Sequence, residues 1–165
     1  MYAGTASKSL APGLRLGWLV LPAGLVDEVV TVKAAAGRLS SSLDQLTLAE
    51  FIASGAYDRQ GRRARLAYRR RRDRLVAALR ASAPQVRVTG IAAGLHAVLR
   101  LPPGPREEAL VARAARHGLA VEGLSAYAMP GHDGGGPALV VGYATPPGHA
   151  YSTAVARLCA VLAPG

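Results

Sequence analysis

The chain has 165 residues, half of them hydrophobic, and 20 Lys and Arg against 10 Asp and Glu give a net charge of +10. That length suits one ordinary domain with a real core, and no apolar run is long enough for a membrane helix. With no layout of a secretory leader either, the cytoplasm is the expected compartment. The single Cys159, set among Leu158, Ala160, Val161 and Leu162, excludes an internal disulfide framework and reads as a buried thiol.

In chain order, residues 2–6 read as a strand with an open edge, and residues 14–21 as a short buried strand closed by Pro22. Residues 23–36 read as a helix, with Asp27 and Glu28 favouring the positive end of its dipole. Gly37 and the serines at 40–42 break it. Ser42 is placed to cap a second helix over residues 43–54, where Leu46, Leu48, Phe51 and Ile52 recur at helical spacing and Gly55 marks the end. The longest helix spans residues 57–82. Ala64, Tyr68, Leu75 and Leu79 form its narrow apolar stripe, arginines fill the other faces, and Pro84 stops it. Residues 86–88, 95–101, 119–121 and 138–144 then read as short strands. Residues 105–117 and 148–162 read as helices, the first stopped by Gly118. Residues 131–136 (GHDGGG) form a surface loop.

The chemistry concentrates near the start. Lys8 stands in a cramped turn of small polar residues, where an amine can lose its proton and attack a carbonyl. Read alone, a Ser-Lys dipeptide is a solvated turn. Here Pro12-Gly13 turns the chain back, so that Arg15 comes beside the hydroxyls of Thr5 and Ser7. Two hydroxyls and a guanidinium suit a phosphate dianion. An aldehyde and a phosphate on one small molecule describe pyridoxal 5′-phosphate. Elsewhere the residues carry plainer readings. The arginines of residues 59–74 are the solvated face of a long helix or an electrostatic footprint for nucleic-acid phosphates. His96, Tyr127 and Tyr143 are packing residues. His132 and Asp133 lack a third ligand, so no metal site is assigned.

The pattern Tyr2-x-Gly4-Thr5-x-Ser7-Lys8-x-Leu10-x-Pro12-x-Leu14-Arg15-Leu16-Gly17 resembles the cofactor-lysine segment of fold-type I pyridoxal-phosphate aminotransferases. It is most similar to the aminotransferase-like domain of MocR-type regulators in the GntR superfamily. Ser42-Leu43-Asp44-Gln45, Gly55-Ala56-Tyr57-Asp58-Arg59, Arg62-Arg63-x-Arg65, Tyr68-x-x-Arg71-Arg72-Asp73 and Gly94-Leu95-His96 continue the resemblance in the same order.

The resemblance implies an α/β fold, the C-terminal portion of a fold-type I transferase. Residues 1–56 would end the large cofactor-binding domain, residues 57–83 form the interdomain helix, and residues 84–165 form a small α+β domain. It implies Lys8 as the Schiff-base lysine and Thr5, Ser7 and Arg15 as phosphate ligands. It also implies an amine or amino-acid ligand and a homodimer in the intact parent. DNA contact would come through an N-terminal winged-helix domain outside this sequence. Two departures stand out: Gly61 weakens the arginine helix locally, and residues 138–143 hold no arginine for a substrate carboxylate. The first strands, the glycine-rich phosphate contact and the ring-binding residues that the resemblance implies are not in this sequence, so the chain is expected to be a fragment with a weak cofactor band or none, and without turnover. The other readings are a fragment of a freestanding aminotransferase and a basic nucleic-acid-binding module.

Overall fold

The computed structural model describes residues 1–37, 41–90, 94–104, 106–129 and 135–163. Its contacts divide the chain into two units, residues 1–65 and residues 66–165. Pro105, Ser40, His132 and Asp133 lie outside the described residues, as does most of the expected loop at 131–136.

In the first unit, strand β1 (Tyr2–Thr5) pairs antiparallel with β2 (Gly17–Val20), Tyr2 opposite Val20 and Thr5 opposite Gly17. Glycine is required at position 4 because the indole of Trp18 fills the space that a Cβ there would take. The buried strand expected over residues 14–21 is shorter than that and exposed along its whole length. Residues 12–14 form a 3-10 turn instead, and a two-stranded ribbon offers no second layer to cover its faces. Burial is confined to Ala6 and Leu16, where the ribbon opens into the turn.

Helix α1 (Val26–Ala35) follows a 3-10 turn and carries Asp27 and Glu28 in its first turn, as expected. Helix α2 (Ser42–Ala53) is capped one residue earlier than the sequence suggested. The Ser41 hydroxyl accepts the Asp44 amide at 3.3 Å, because an N-cap oxygen reaches the third helical N–H. Gly55, at φ 70°, ends α2 in the left-handed region. Neither helix buries a residue, so the helical spacing of Leu46, Leu48, Phe51 and Ile52 marks no core within this chain.

Helix α3 (Ala56–Ser82) begins one residue before its expected start, and the boundary between the units falls within it. Of its apolar stripe, Leu75 and Leu79 are buried while Ala64 and Tyr68 are half-buried.

The second unit contains β3 (Arg87–Thr89), β4 (His96–Arg100), α4 (Glu107–Arg116), β5 (Glu122–Gly123), β6 (Ala138–Gly142) and α5 (Tyr151–Leu162). The strands form one antiparallel sheet in the order β3-β4-β6-β5. Alternation sends Ala97, Leu99, Leu139 and Val141 into the core, against Leu75 and Leu79 of α3 and Leu158 and Leu162 of α5. Cys159 is buried in that core as expected.

The strand expected at residues 119–121 does not form. Gly118 (φ 69°) closes α4, and the Leu119 amide bonds back to the Ala114 carbonyl at 3.0 Å. The backbone there completes a helix cap, and pairing with β6 starts only at Glu122.

Among the polar contacts that fasten this unit are those centred on Arg71, Tyr143 and Glu107. Arg71 donates to the Ala144 carbonyl at 2.8 Å and lies over the Tyr151 ring, while the Tyr151 hydroxyl donates to the Arg71 carbonyl at 2.7 Å. Tyr143 is buried, and its hydroxyl donates to the Gly94 carbonyl at 2.7 Å. Tyr127 and His96, read from sequence as packing residues, are instead exposed: Tyr127 ends the 3-10 turn after β5 and His96 stands at the first position of β4, and neither belongs to the core.

Glu107 is the third fastener, only 8% exposed. Its carboxylate accepts the Ala138 amide at 2.6 Å and the Ser125 amide at 3.0 Å, tying the start of α4 to β6 and to the turn after β5. Burial pushes its pKa up. Hydrogen bonds from Ser125 and Ala138, with the Arg100 charge, outweigh that and hold it below the ordinary 4.5. A lowered folded-state pKa stabilises the fold above about pH 4.5, and the contribution is lost as the pH falls through the lower folded value. Glu107→Ala strands the Ala138 amide and is expected to cost about 2–3 kcal/mol, measured by urea unfolding at neutral pH. The gap between variant and parent should close in acid.

Candidate cofactor site

The Lys8 turn is built by the β1–β2 ribbon. The Ala6 amide donates to the Leu16 carbonyl at 3.0 Å, so strand pairing reaches one step past Thr5. The strand register itself ends at Thr5 opposite Gly17, so Ser7 and Arg15 fall just beyond it at the same end of the ribbon. The turn then tightens, with the Leu10 amide bonding the Ala6 carbonyl at 2.9 Å, and Lys8 rides on it.

Thr5 organises the hydroxyl side. Its Oγ1 accepts the Ser7 amide at 3.1 Å, lies 3.1 Å from Ser7 Oγ, and donates to the Leu16 carbonyl at 3.0 Å. Arg15 lies two residues before β2. Its φ of 51° makes it the one non-glycine residue with a left-handed backbone among the described residues. That conformation is uncommon for a long side chain and marks a position where the backbone is fixed by its surroundings. Lys8 and Arg15 are both exposed, and neither has a hydrogen-bond or ion-pair partner among the described residues. No Asp or Glu occurs before Asp27.

The sequence reading missed one contributor. Ser9 Oγ lies 2.7 Å from the Tyr57 hydroxyl and 3.4 Å from the Ala6 carbonyl, so Tyr57 at the start of α3 braces the residue after Lys8. Its place in the Gly55-Ala56-Tyr57-Asp58-Arg59 segment was the available signal. The four residues expected together, Thr5, Ser7, Lys8 and Arg15, thus share one end of the ribbon. They form a set of two hydroxyls, a guanidinium and an amine that suits a phosphate-bearing aldehyde.

The family model for aminotransferase class I and II matches residues 1–132. The chain belongs to the class I and II aminotransferase family. Among this aminotransferase-like chain's curated relatives is the HTH-type transcriptional regulator YhdI of Bacillus subtilis. It is 34% identical over 76% of this chain and 27% of its own length. The HTH-type regulator TauR of Rhodobacter capsulatus is 35% identical over 74% of this chain and 25% of its own. Among solved structures, LysN is an α-aminoadipate aminotransferase from Thermus thermophilus, complexed with N-(5′-phosphopyridoxyl)-L-leucine. It superposes with a TM-score of 0.76 at 27% identity over 98% of this chain and 41% of its own. The α/β fold is therefore that of fold-type I aminotransferases, whose cofactor is pyridoxal 5′-phosphate. The chain spans about a quarter of the length of these curated relatives. No helix among the described residues is long and apolar enough to cross a membrane. The strand β6 (Ala138–Gly142) holds no arginine, and Arg100 beside it is committed to the Gly135 and Gly136 carbonyls at 3.1 and 3.2 Å.

Proposed function

We propose that this chain is the lysine-bearing part of a pyridoxal-phosphate effector domain in a cytoplasmic MocR-type transcriptional regulator, rather than of a freestanding transaminase. The observation that carries the cofactor reading is the cluster at the ribbon end. There the bonded Thr5–Ser7 hydroxyl pair and Arg15 share the end of the ribbon, and Lys8 has no acidic partner among the described residues. Bound there, pyridoxal phosphate supplies an aldehyde for an amine and an electron-withdrawing ring.

The residues divide the remaining work. Thr5, Ser7 and Arg15 bind the phosphate and fix its position, and Lys8 supplies the amine and holds or moves the proton at Nζ. Tyr57, through Ser9, steadies the turn that carries Lys8. The regulator reading draws support from YhdI and TauR, both named as HTH-type regulators, and from a β6 without the guanidinium that would clamp an amino-acid carboxylate. In that reading a small amine or amino acid is the effector, DNA is engaged through a separate N-terminal domain, and the parent is a homodimer. The exposed apolar residues of α1 and α2 are then covered by other parts of the longer protein.

The phosphate cradle is tested by comparing pyridoxal phosphate with pyridoxal in equilibrium titrations. Arg15→Ala removes one charged hydrogen-bonding group, so affinity for the phosphate form should fall about tenfold to a hundredfold. Affinity for pyridoxal should stay unchanged. Equal weakening toward both ligands would remove Arg15 from the phosphate.

A further inference from the structure

Nine arginines crowd residues 59–74, and the structure sorts them. Arg59 donates to the Ser54 carbonyl at 3.1 Å, Arg71 clamps the Ala144 carbonyl, and half-buried Arg72 lies 3.9 Å from Asp73. Arg62, Arg63, Arg65, Arg69, Arg70 and Arg74 are left. All six are exposed, and none has a hydrogen-bond or ion-pair partner among the described residues. At about 3.6 residues per turn they cover roughly half the circumference of α3, centred opposite Leu75. Along the axis, Arg62 to Arg74 spans ~18 Å, and the pairs Arg62/Arg69 and Arg63/Arg70 repeat every ~10.5 Å. Asp73 is the one acidic residue from position 59 to the end of the helix.

We propose that this face of α3 is a docking surface for the phosphate backbone of duplex DNA. A row of exposed guanidiniums along one helix complements a polymer that carries one charge per ~1.7 Å of axis, and arginine is the residue best matched to phosphate oxygens. A membrane surface fits less well, because a helix lying in lipid inserts its apolar face, and Leu75 and Leu79 are committed to the protein core. Single strands are also disfavoured, since no aromatic residue follows Tyr68 along α3 to stack on bases. The surface contributes backbone affinity and no base readout. It goes beyond the cofactor reading and does not use Lys8, so cofactor attachment serves as a separate readout.

The test is fluorescence anisotropy of a labelled mixed-sequence duplex with residues 1–165, at several salt concentrations. The parent should lose about a thousandfold in affinity between about 50 and 200 mM salt, as for about six phosphate contacts. Replacing Arg62, Arg63, Arg69 and Arg70 by glutamine should reduce that loss to about tenfold, while Lys8 still takes the cofactor. A control with the same charge change elsewhere (Arg87, Arg106, Arg116 and Arg157 to glutamine) should keep the parental slope. The single variant Arg69→Gln should lower the slope by about 1, which keeps the test open should the fourfold variant unfold. Equal losses in the control and helix sets would overturn the proposal. So would absence of duplex binding, or equally tight binding to polyglutamate or to phosphatidylserine vesicles.

Discussion

Lys8→Ala should abolish the visible absorbance band that forms when the chain is mixed with pyridoxal phosphate, while leaving far-UV circular dichroism unchanged. The effect is large because it is chemical: alanine has no amine to offer the aldehyde. The fold should tolerate it because Lys8 is exposed and makes no hydrogen bond or ion pair among the described residues, which keeps its removal within about 0.5 kcal/mol. The parental band should itself be weak. Thr5 and Arg15 are exposed, and an open cradle leaves water to compete for both the phosphate and the amine. Transaminase turnover by the chain alone would argue for the enzyme over the regulator.

Leu99→Ala is expected to cost about 3–5 kcal/mol, and Leu139→Ala a similar amount, read from urea unfolding. Both side chains are fully buried, and they are cross-strand neighbours on the core face of β4 and β6. Removing either leaves a cavity that a sheet held by Glu107 on one side and Arg71 on the other cannot easily collapse. Leu46→Ala is the contrast. Leu46 is 69% exposed on a helix that buries nothing, so its loss should stay within about 0.5 kcal/mol. A large cost at Leu46 would contradict the assignment of the core to residues 66–165.

The sequence made some of this legible and hid the rest for physical reasons. Helix α3 was readable because Gly55 and Pro84 bracket a long stretch in which Gly61 is the only further breaker. Gly118 was readable because a helix end needs a left-handed residue. The ribbon was readable because Pro12-Gly13 forces a reversal, which lets residues 2–5 pair with residues 17–20. What sequence periodicity cannot report is whether an apolar stripe finds a partner. Leu46 and Leu79 sit in similar patterns, yet one is exposed and the other buried. Glu107 was equally hidden. In the sequence it is one of two adjacent glutamates near a helix start, and its partners, the amides of Ser125 and Ala138, lie 18 and 31 residues away.

The account rests on Lys8 being the residue that takes the cofactor, and the chain supplies its own control, since Lys33 is the only other lysine. Lys33 stands exposed in the last turn of α1, without a phosphate cradle. The most direct measurement is borohydride trapping of the chain with pyridoxal phosphate at limiting concentration, followed by peptide mapping of the pyridoxyl group. The account predicts that the label resides on Lys8, and that added inorganic phosphate or Arg15→Ala sharply lowers it. Equal labelling of Lys8 and Lys33, indifferent to phosphate, would contradict it.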